Sequence, residues 1–452
     1  VSKLEILRLD ATSQDISPQL NKLRALLSPS GDIVSPRGRE LTKRVFGEPL
    51  SPAQVVQRIC NDVQTRRDEA VLHYSKELDQ YSPSGASYRV AESELAAAHR
   101  ACDSEFLQVV RRIRDRIFDF QSKILHRDVT TRPSAGVTLQ QRYTPLRRVG
   151  LCIPGGAAAY PSSLLMTAVP AMAAGVAEIV VVGPPTKLGA FNPDIQAICF
   201  ELGIKELYAV GGAQAVAAMA YGTPTIERVD KIVGPGNLFV ALAKKHVYGE
   251  VDIDSIAGPS EVVVLADEQT PLEFAASDML SQAEHSPGSS VLISWSQQTL
   301  DNVYEVLQQQ VNQLERGELI INSLNEYGAM IRVRDADQAC EIIQLLAPEH
   351  LHLAVENARD LLPKVTNAGA TFVGNFAPVA VGDYAAGPSH VLPTGGTARW
   401  ASGLSSNHFL RSSSVIEFDE KSLAAIAPDV CALADKEGLT AHKHSITVRV
   451  QD

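Results

Sequence analysis

Short apolar runs alternate along most of this chain with longer amphipathic stretches, and glycine or proline marks nearly every junction. From Ser51-Pro52, a helix-start pair, apolar positions recur at helical spacing through Leu107, Val110, Ile113 and Ile117, with a break at Ser82-Pro83-Ser84-Gly85. At Arg148 the texture changes. Residues 149–153 form a strand-like run that enters the turn Pro154-Gly155-Gly156, and a helix with Pro161 near its start follows. Strands over 178–183, 207–210 and 229–233 then alternate with helices over 194–202, from Gln214, and from Asn237 to near His246. The rhythm restarts at Ser260 with strand 262–265, helix 271–283, strand 291–294, helix 300–314 and further alternation to Val373. Such alternation belongs to parallel sheets covered by helices on both faces. The expected fold is α/β, two tandem Rossmann-like parallel-sheet units with small N- and C-terminal lobes.

Residues 1–50, polar and broken at Leu27-Ser28-Pro29-Ser30 and Ser35-Pro36-Arg37-Gly38, read as an N-terminal extension. Residues 51–150 together with 260–404 are assigned to a first α/β domain, and 151–259 to a second. Beyond a Gly/Ser-rich stretch over 393–407, residues 405–452 form a C-terminal lobe.

At 452 residues the chain exceeds one ordinary core. The balance of 41 basic and 52 acidic residues, with no Lys/Arg-rich run, argues against nucleic acid as the main partner. The most apolar stretch, 164–183, is interrupted by Pro170, Gly175 and Glu178, so no membrane span is expected. The first residues lack the apolar run of a secretory signal. Six cysteines without CxxC spacing indicate neither a disulfide framework nor a zinc finger, and fit a reducing, cytoplasmic setting.

The candidate chemistry lies at the junctions. Pro154-Gly155-Gly156, Gly211-Gly212-Ala213-Gln214 and Gly234-Pro235-Gly236-Asn237 each follow a strand and open a helix, where backbone N–H groups can meet a phosphate. None matches a GxGxxG or P-loop pattern, and tight turns use glycine without any ligand. The amides of Gln214 and Asn237 add groups that can recognise a ribose or phosphate. Gln282 and His285 share one face at the end of a helix. Asp383 lies in the Gly/Pro-dense segment from Ala380 to His390, and His442 near the C-terminus. Amide, imidazole and carboxylate are all ligands a borderline divalent metal accepts, although no HExxH or paired CxxC supports a site from spacing alone. Glu349-His350 joins an acid to a base beside Pro348. Against this, His350 and His352 also fit one face of a half-exposed strand.

Taken in order, these motifs resemble histidinol dehydrogenase, from about Leu41 to the C-terminus. The likeness is densest at 154–156, 210–215, 230–237, 257–261, 278–285, 347–351 and 382–394. It implies Zn²⁺ held by Gln282, His285, Asp383 and His442, with His442 reaching in from the other subunit of a homodimer with shared active sites. It further implies Glu349 and His350 as the acid/base pair, Ser260 and Glu437 as substrate contacts, and Gln214 and Asn237 as NAD contacts, which makes 151–259 the NAD-binding domain. The implied reaction is oxidation of L-histidinol to L-histidine in two NAD-linked steps through L-histidinal. Zinc-bound Gln282, His285, Asp383 and His442 then border the substrate, as do His350 and His390. The rival substrate is a small polyol such as a sulfonated propanediol. His390 and Glu437 argue against it, because an imidazole- and ammonium-bearing substrate needs acceptors and an anion. One departure falls at Cys152, a cofactor-binding position where the family usually carries Tyr. Its expected effect is weaker NAD binding, relieved in Cys152→Tyr. Another departure is Ser406-Asn407-His408-Phe409, where the family commonly has acidic residues before the Phe.

Overall fold

A computed structural model describes residues 3–27, 36–83, 87–155, 158–285 and 287–450. Two parallel sheets dominate it, as the alternation requires. The smaller runs in the order β6 (Glu206–Ala209), β5 (Glu178–Gly183), β4 (Arg148–Cys152), β7 (Lys231–Val233) and β8 (Asp252–Ile253), parallel throughout. The larger is β1 (Leu7–Asp10), β11 (Ala329–Arg332), β10 (Gly288–Ser294), β9 (Ser260–Leu265), β12 (His350–Leu353) and β13 (Ala370–Val373), again all parallel. A third, antiparallel sheet joins β2 (Val129–Thr131), β3 (Val137–Pro145) and β14 (Leu410–Phe418).

The continuous apolar runs have a direct physical reason. In β5, Val180 and Val182 enter one buried cluster while Val181 enters another, because successive side chains point to opposite faces. In β9, Val262 and Val264 face one core, Val263 and Leu265 the other. Burying each such side chain contributes about 1.5–3 kcal/mol, so a helix layer on each face is strongly favoured.

The domain boundaries differ from those expected. The N-terminal extension joins the larger sheet: β1 forms its edge, and Leu9, Ile16, Leu20 and Leu23 enter its core. Four strand residues inside a polar stretch carry too little periodicity to announce themselves. The helices between Pro52 and Lys123 pack on the five-stranded sheet rather than on the six-stranded one, and meet Val391 and Leu404 in the same core. Val55, Val56, Ile59 and Val63 of helix Pro52–Arg66 share a core with Val180 and Val182, and Val110 and Ile117 of helix Ser104–Lys123 share one with Val181. Periodicity reveals that a helix has an apolar face, but not which sheet that face covers. The sequence breaks over 28–30, at Ser35 and over 84–85, and Gly156 of the first glycine turn, lie outside the described residues.

The departure at 406–409 has a structural account. Ser406 donates from its backbone to Gln121 Oε1 (2.8 Å) and from its hydroxyl to the Gln121 carbonyl (2.7 Å), fully buried. Asn407 binds the Ile124 carbonyl (2.9 Å) and accepts from His126 N–H (2.7 Å). These short neutral side chains staple the end of helix Ser104–Lys123, where a buried acid would go unpaired.

That helix is also held by charge. Glu201 accepts from Arg111 Nε and Nη2, both at 2.8 Å, and meets His99 at 2.8 Å. Hydrogen bonds from Arg111 act most strongly and, with His99, outweigh burial, lowering the Glu201 carboxyl to about 2 from 4.5. A depressed pKa stabilises the fold above the unfolded value, and the gain is lost as pH falls through the folded one. Glu201→Gln should therefore cost about 1–3 kcal/mol at pH 7. In urea titrations that difference should shrink as pH falls from 4.5 towards 2. A pH-independent difference would refute the assignment.

Candidate functional site

The two parallel sheets meet at a cavity of about 250 Å³. Its walls come from the carboxyl ends of β4 and β7 on one side, through Pro154 and Gly234–Gly236, and from the amino ends of β9 and β12 on the other, through Ser260, Glu349 and His350. Tyr160, His285, Asp383 and His390 complete the lining used below.

On the glycine side, Gly234 has φ +106, and a Cβ there would collide with the Cys152 carbonyl, so only glycine fits. Asp254 accepts from Gly234 N–H (2.7 Å), and Lys244 donates to the Gly234 carbonyl (3.1 Å). Lys244 and Asp254 form a buried ion pair, which fixes this peptide from both sides. Asn237 caps helix Leu238–Val247, its Oδ1 accepting from Phe239 N–H (3.0 Å) and Val240 N–H (3.2 Å). Gln214 is buried and donates to Asp79 Oδ2 (2.9 Å), whose carboxyl burial pushes up to about 6. Neither amide lines the cavity. Cys152 does not line it either. The thiol lies in the apolar cluster with Val180 and Val182, and burial pushes it up to about 12. Tyr160 and Tyr384 are the tyrosines on the cleft wall.

On the catalytic side, helix Ala336–Leu346 ends at Ala347 in the left-handed region, φ 48. Residues before proline normally stay extended, so this turn is held by its surroundings. It delivers Glu349 and His350 into the cleft, 5% and 4% exposed. Their strand is therefore buried, not half-exposed. His350 Nδ1 lies 3.1 Å from the Glu261 carbonyl and 3.5 Å from Glu349, and Nε2 lies 3.7 Å from Asp383. A carbonyl only accepts, so Nδ1 carries a proton. Burial opposes a charged His350 ring, yet Glu349 and Asp383 outweigh it and raise the ring to about 9. Burial also pushes Glu349 up, against the pull of His350. Two positions along the strand, His352 is enclosed, with Nε2 at 3.0 Å from the Gly374 carbonyl and Nδ1 beside the Asp278 carboxylate at 2.5 Å.

Gln282 and His285 stand at the end of helix Leu272–Ala283 and Asp383 on helix Val379–Tyr384. Gln282 is 2% exposed, and its Nε2 has no partner. Burial keeps His285 below its usual range, hence neutral. Asp383 is held ionised: burial opposes this, but His350, His390 and His285 prevail. An unpartnered amide, a neutral imidazole and a carboxylate fit a divalent cation. Among the described residues no group of three or more His, Cys, Asp or Glu is arranged to hold a metal. The amide falls outside that count, and His442 stands exposed on helix Thr440–Thr447, away from the cleft lining. Glu437, exposed at the end of helix Glu420–Glu437, is likewise not in it. His390 is, with Nδ1 at 3.1 Å from the Asp383 carbonyl.

Sequence reasoning missed Lys244, Asp254 and Glu261 as parts of this site. Glu261 follows Ser260 directly, which is a signal; Lys244 and Asp254 carry none, since burial of a charge is not visible in sequence.

Two parallel sheets that enclose a buried acid/base pair beside glycine turns define an α/β enzyme. The chain matches the sequence model of histidinol dehydrogenase over residues 48–450. It is 58% identical over 442 residues to histidinol dehydrogenase of Rhodopirellula baltica, covering 98% of this chain and 96% of that one. The enzyme of the same name from Carboxydothermus hydrogenoformans is 46% identical over 400 residues, 88% and 94% of the two chains. The crystal structure of histidinol dehydrogenase from Elizabethkingia anophelis superposes with a TM-score of 0.88 at 31% identity, covering 100% of this chain and 99% of that one. The chain belongs to the histidinol dehydrogenase family.

Proposed function

We propose that this chain oxidises L-histidinol to L-histidine in two NAD-linked steps through L-histidinal. The observation that carries the reading is the convergence of Ser260, His285, Glu349, His350, Asp383 and His390 on one cleft beside the glycine turns. Gln282, His285, Asp383 and His442 of the partner subunit would hold Zn²⁺, which when bound offers the substrate's nitrogens a fixed anchor. With Nδ1 tied to the Glu261 carbonyl, His350 presents Nε2 to the substrate hydroxyl. In the first step His350 takes the hydroxyl proton while the carbon gives a hydride to NAD. In the second, His350 has first released that proton to solvent; Glu349 takes a proton from water as it adds to the aldehyde, and the hydrate yields its hydroxyl proton to His350 and a hydride to a second NAD. The balance is two NADH per L-histidinol. Burial of the pair keeps bulk water off the aldehyde. Gln214, Asn237 and the segment around Cys152 are the proposed contacts for NAD.

The homodimer belongs to the same reading. Helix Glu420–Glu437 buries only Ala427 and Ala434, while Leu433 is 63% and Ile416 69% exposed. A helix with so little burial needs another surface to cover it. A cavity of about 690 Å³ beside His285 and Asp383 gives Glu437 of the partner subunit and the partner's His442 a way in. Among the described residues no helix is long and apolar enough to cross a membrane. Six free cysteines suit a cytoplasmic setting.

Purified protein should produce two NADH per L-histidinol, lose the activity to a chelator and regain it with Zn²⁺. Metal-replete protein inert towards L-histidinol but active on a sulfonated propanediol would overturn the reading in favour of the polyol.

A further inference from the structure

Glu261 is a buried carboxylate, 7% exposed, one residue beyond Ser260 in β9. Its backbone N–H donates to Glu349 Oε2 at 2.9 Å, and its carbonyl accepts from His350 Nδ1 at 3.1 Å. One peptide residue therefore touches both members of the acid/base pair. The side chain points elsewhere. Oε1 accepts from Gly395 N–H at 2.8 Å, and Gly396 N–H is a second donor. A parallel tie runs three residues earlier, where Gly258 N–H donates to Thr394 Oγ1 at 2.7 Å. The start of β9 is thus strapped twice to the 394–396 turn, on the wall that also carries Ser260 and Thr394.

We propose that Glu261 is a positioning residue for the acid/base pair: its peptide sets Glu349 and His350, and its carboxylate locks that peptide against the Gly395 turn. The inference rests on the reading of Glu349 and His350 given above. Burying a carboxylate is costly, and here it lies beside a second one, so burial and then Glu349 push Glu261 up to about 7. The geometric demand explains why a strap is needed at this place. Reacting groups displaced by about 1 Å lose on the order of 100-fold in rate.

The test uses full-length, zinc-loaded protein with NAD and either L-histidinol or L-histidinal. Glu261→Ala should lower kcat about 10- to 100-fold on both substrates while KM changes far less. Glu261→Gln, which keeps the acceptor for Gly395 N–H, should recover most of the loss. If the alanine variant fails to fold, Glu261→Asp carries the same expectation, because the shortened side chain withdraws from Gly395 while remaining charged. Combined with Glu349→Gln, Glu261→Ala should cost less on L-histidinal than the product of the two single losses. Wild-type kcat in Glu261→Ala or Glu261→Asp, or a fully multiplicative double variant, would overturn the proposal. Should Glu349→Gln and His350→Gln themselves keep wild-type rates, the acid/base reading fails first. Impairment of those two with Glu261→Ala unaffected removes only the positioning role.

Discussion

Glu349→Gln is expected to lower oxidation of L-histidinal by about 100- to 10,000-fold, the usual weight of a general acid or base. Oxidation of L-histidinol to the aldehyde should fall much less. The asymmetry follows from the two positions. His350 has Nδ1 committed to the Glu261 carbonyl, so under the proposed reading Nε2 would be the atom to meet the substrate hydroxyl. Glu349, 5% exposed, has one oxygen fixed by Glu261 N–H and a carboxyl pushed up by burial, which makes it a better proton acceptor for water. The amide that replaces it keeps the shape and loses the basicity. Single-turnover rates from each substrate measure the split, and equal losses on both would contradict the division of labour.

Mixing two inactive proteins should restore activity. His285→Ala removes a proposed ligand in the cleft, and His442→Ala removes one on the exposed C-terminal helix. If each site draws His442 from the partner subunit, a mixed dimer contains one site with both ligands intact and one with neither. Random exchange makes half the dimers mixed, so recovery should approach about a quarter of wild-type activity in a two-fold dimer. Exchange is followed with differently tagged subunits. No recovery after complete exchange would show that His442 acts within its own chain or not at all.

Much of the architecture is legible in the sequence because burial on two faces leaves a direct trace. The runs that became β5 and β9 could hardly be anything else once helices were seen on both sides. What is not legible is partnership between segments. Leu7-Arg8-Leu9-Asp10 carries the alternation of an edge strand, but only the β11 neighbour, more than 300 residues on, makes it one. Helix Pro52–Arg66 announces its apolar stripe, yet the Val180 and Val182 face that it covers is specified by three-dimensional fit alone. At the site, Glu349-His350 and the Gln282 to His285 spacing stand out because unusual residue types sit at element ends. Glu261 and Lys244 do not, for a charge inside a strand or helix looks the same in sequence whether it faces water or a buried partner. Cys152 shows the converse. A position singled out by family comparison places its side chain in the apolar interior, and Tyr160 borders the cleft.

The enclosure of His352 has a consequence for which ions this protein can trap. A His-x-His strand puts two imidazoles on one face, a chelating pair that copper would bind in preference to zinc. Here Asp278 and the Gly374 carbonyl occupy both nitrogens of the second ring, so the pair is broken before any ion arrives. An adventitious cation entering beside His350 finds no second imidazole on the strand to close a chelate. Two neighbours of one ring, a carboxylate and a carbonyl, thus keep the strand from chelating a stray ion.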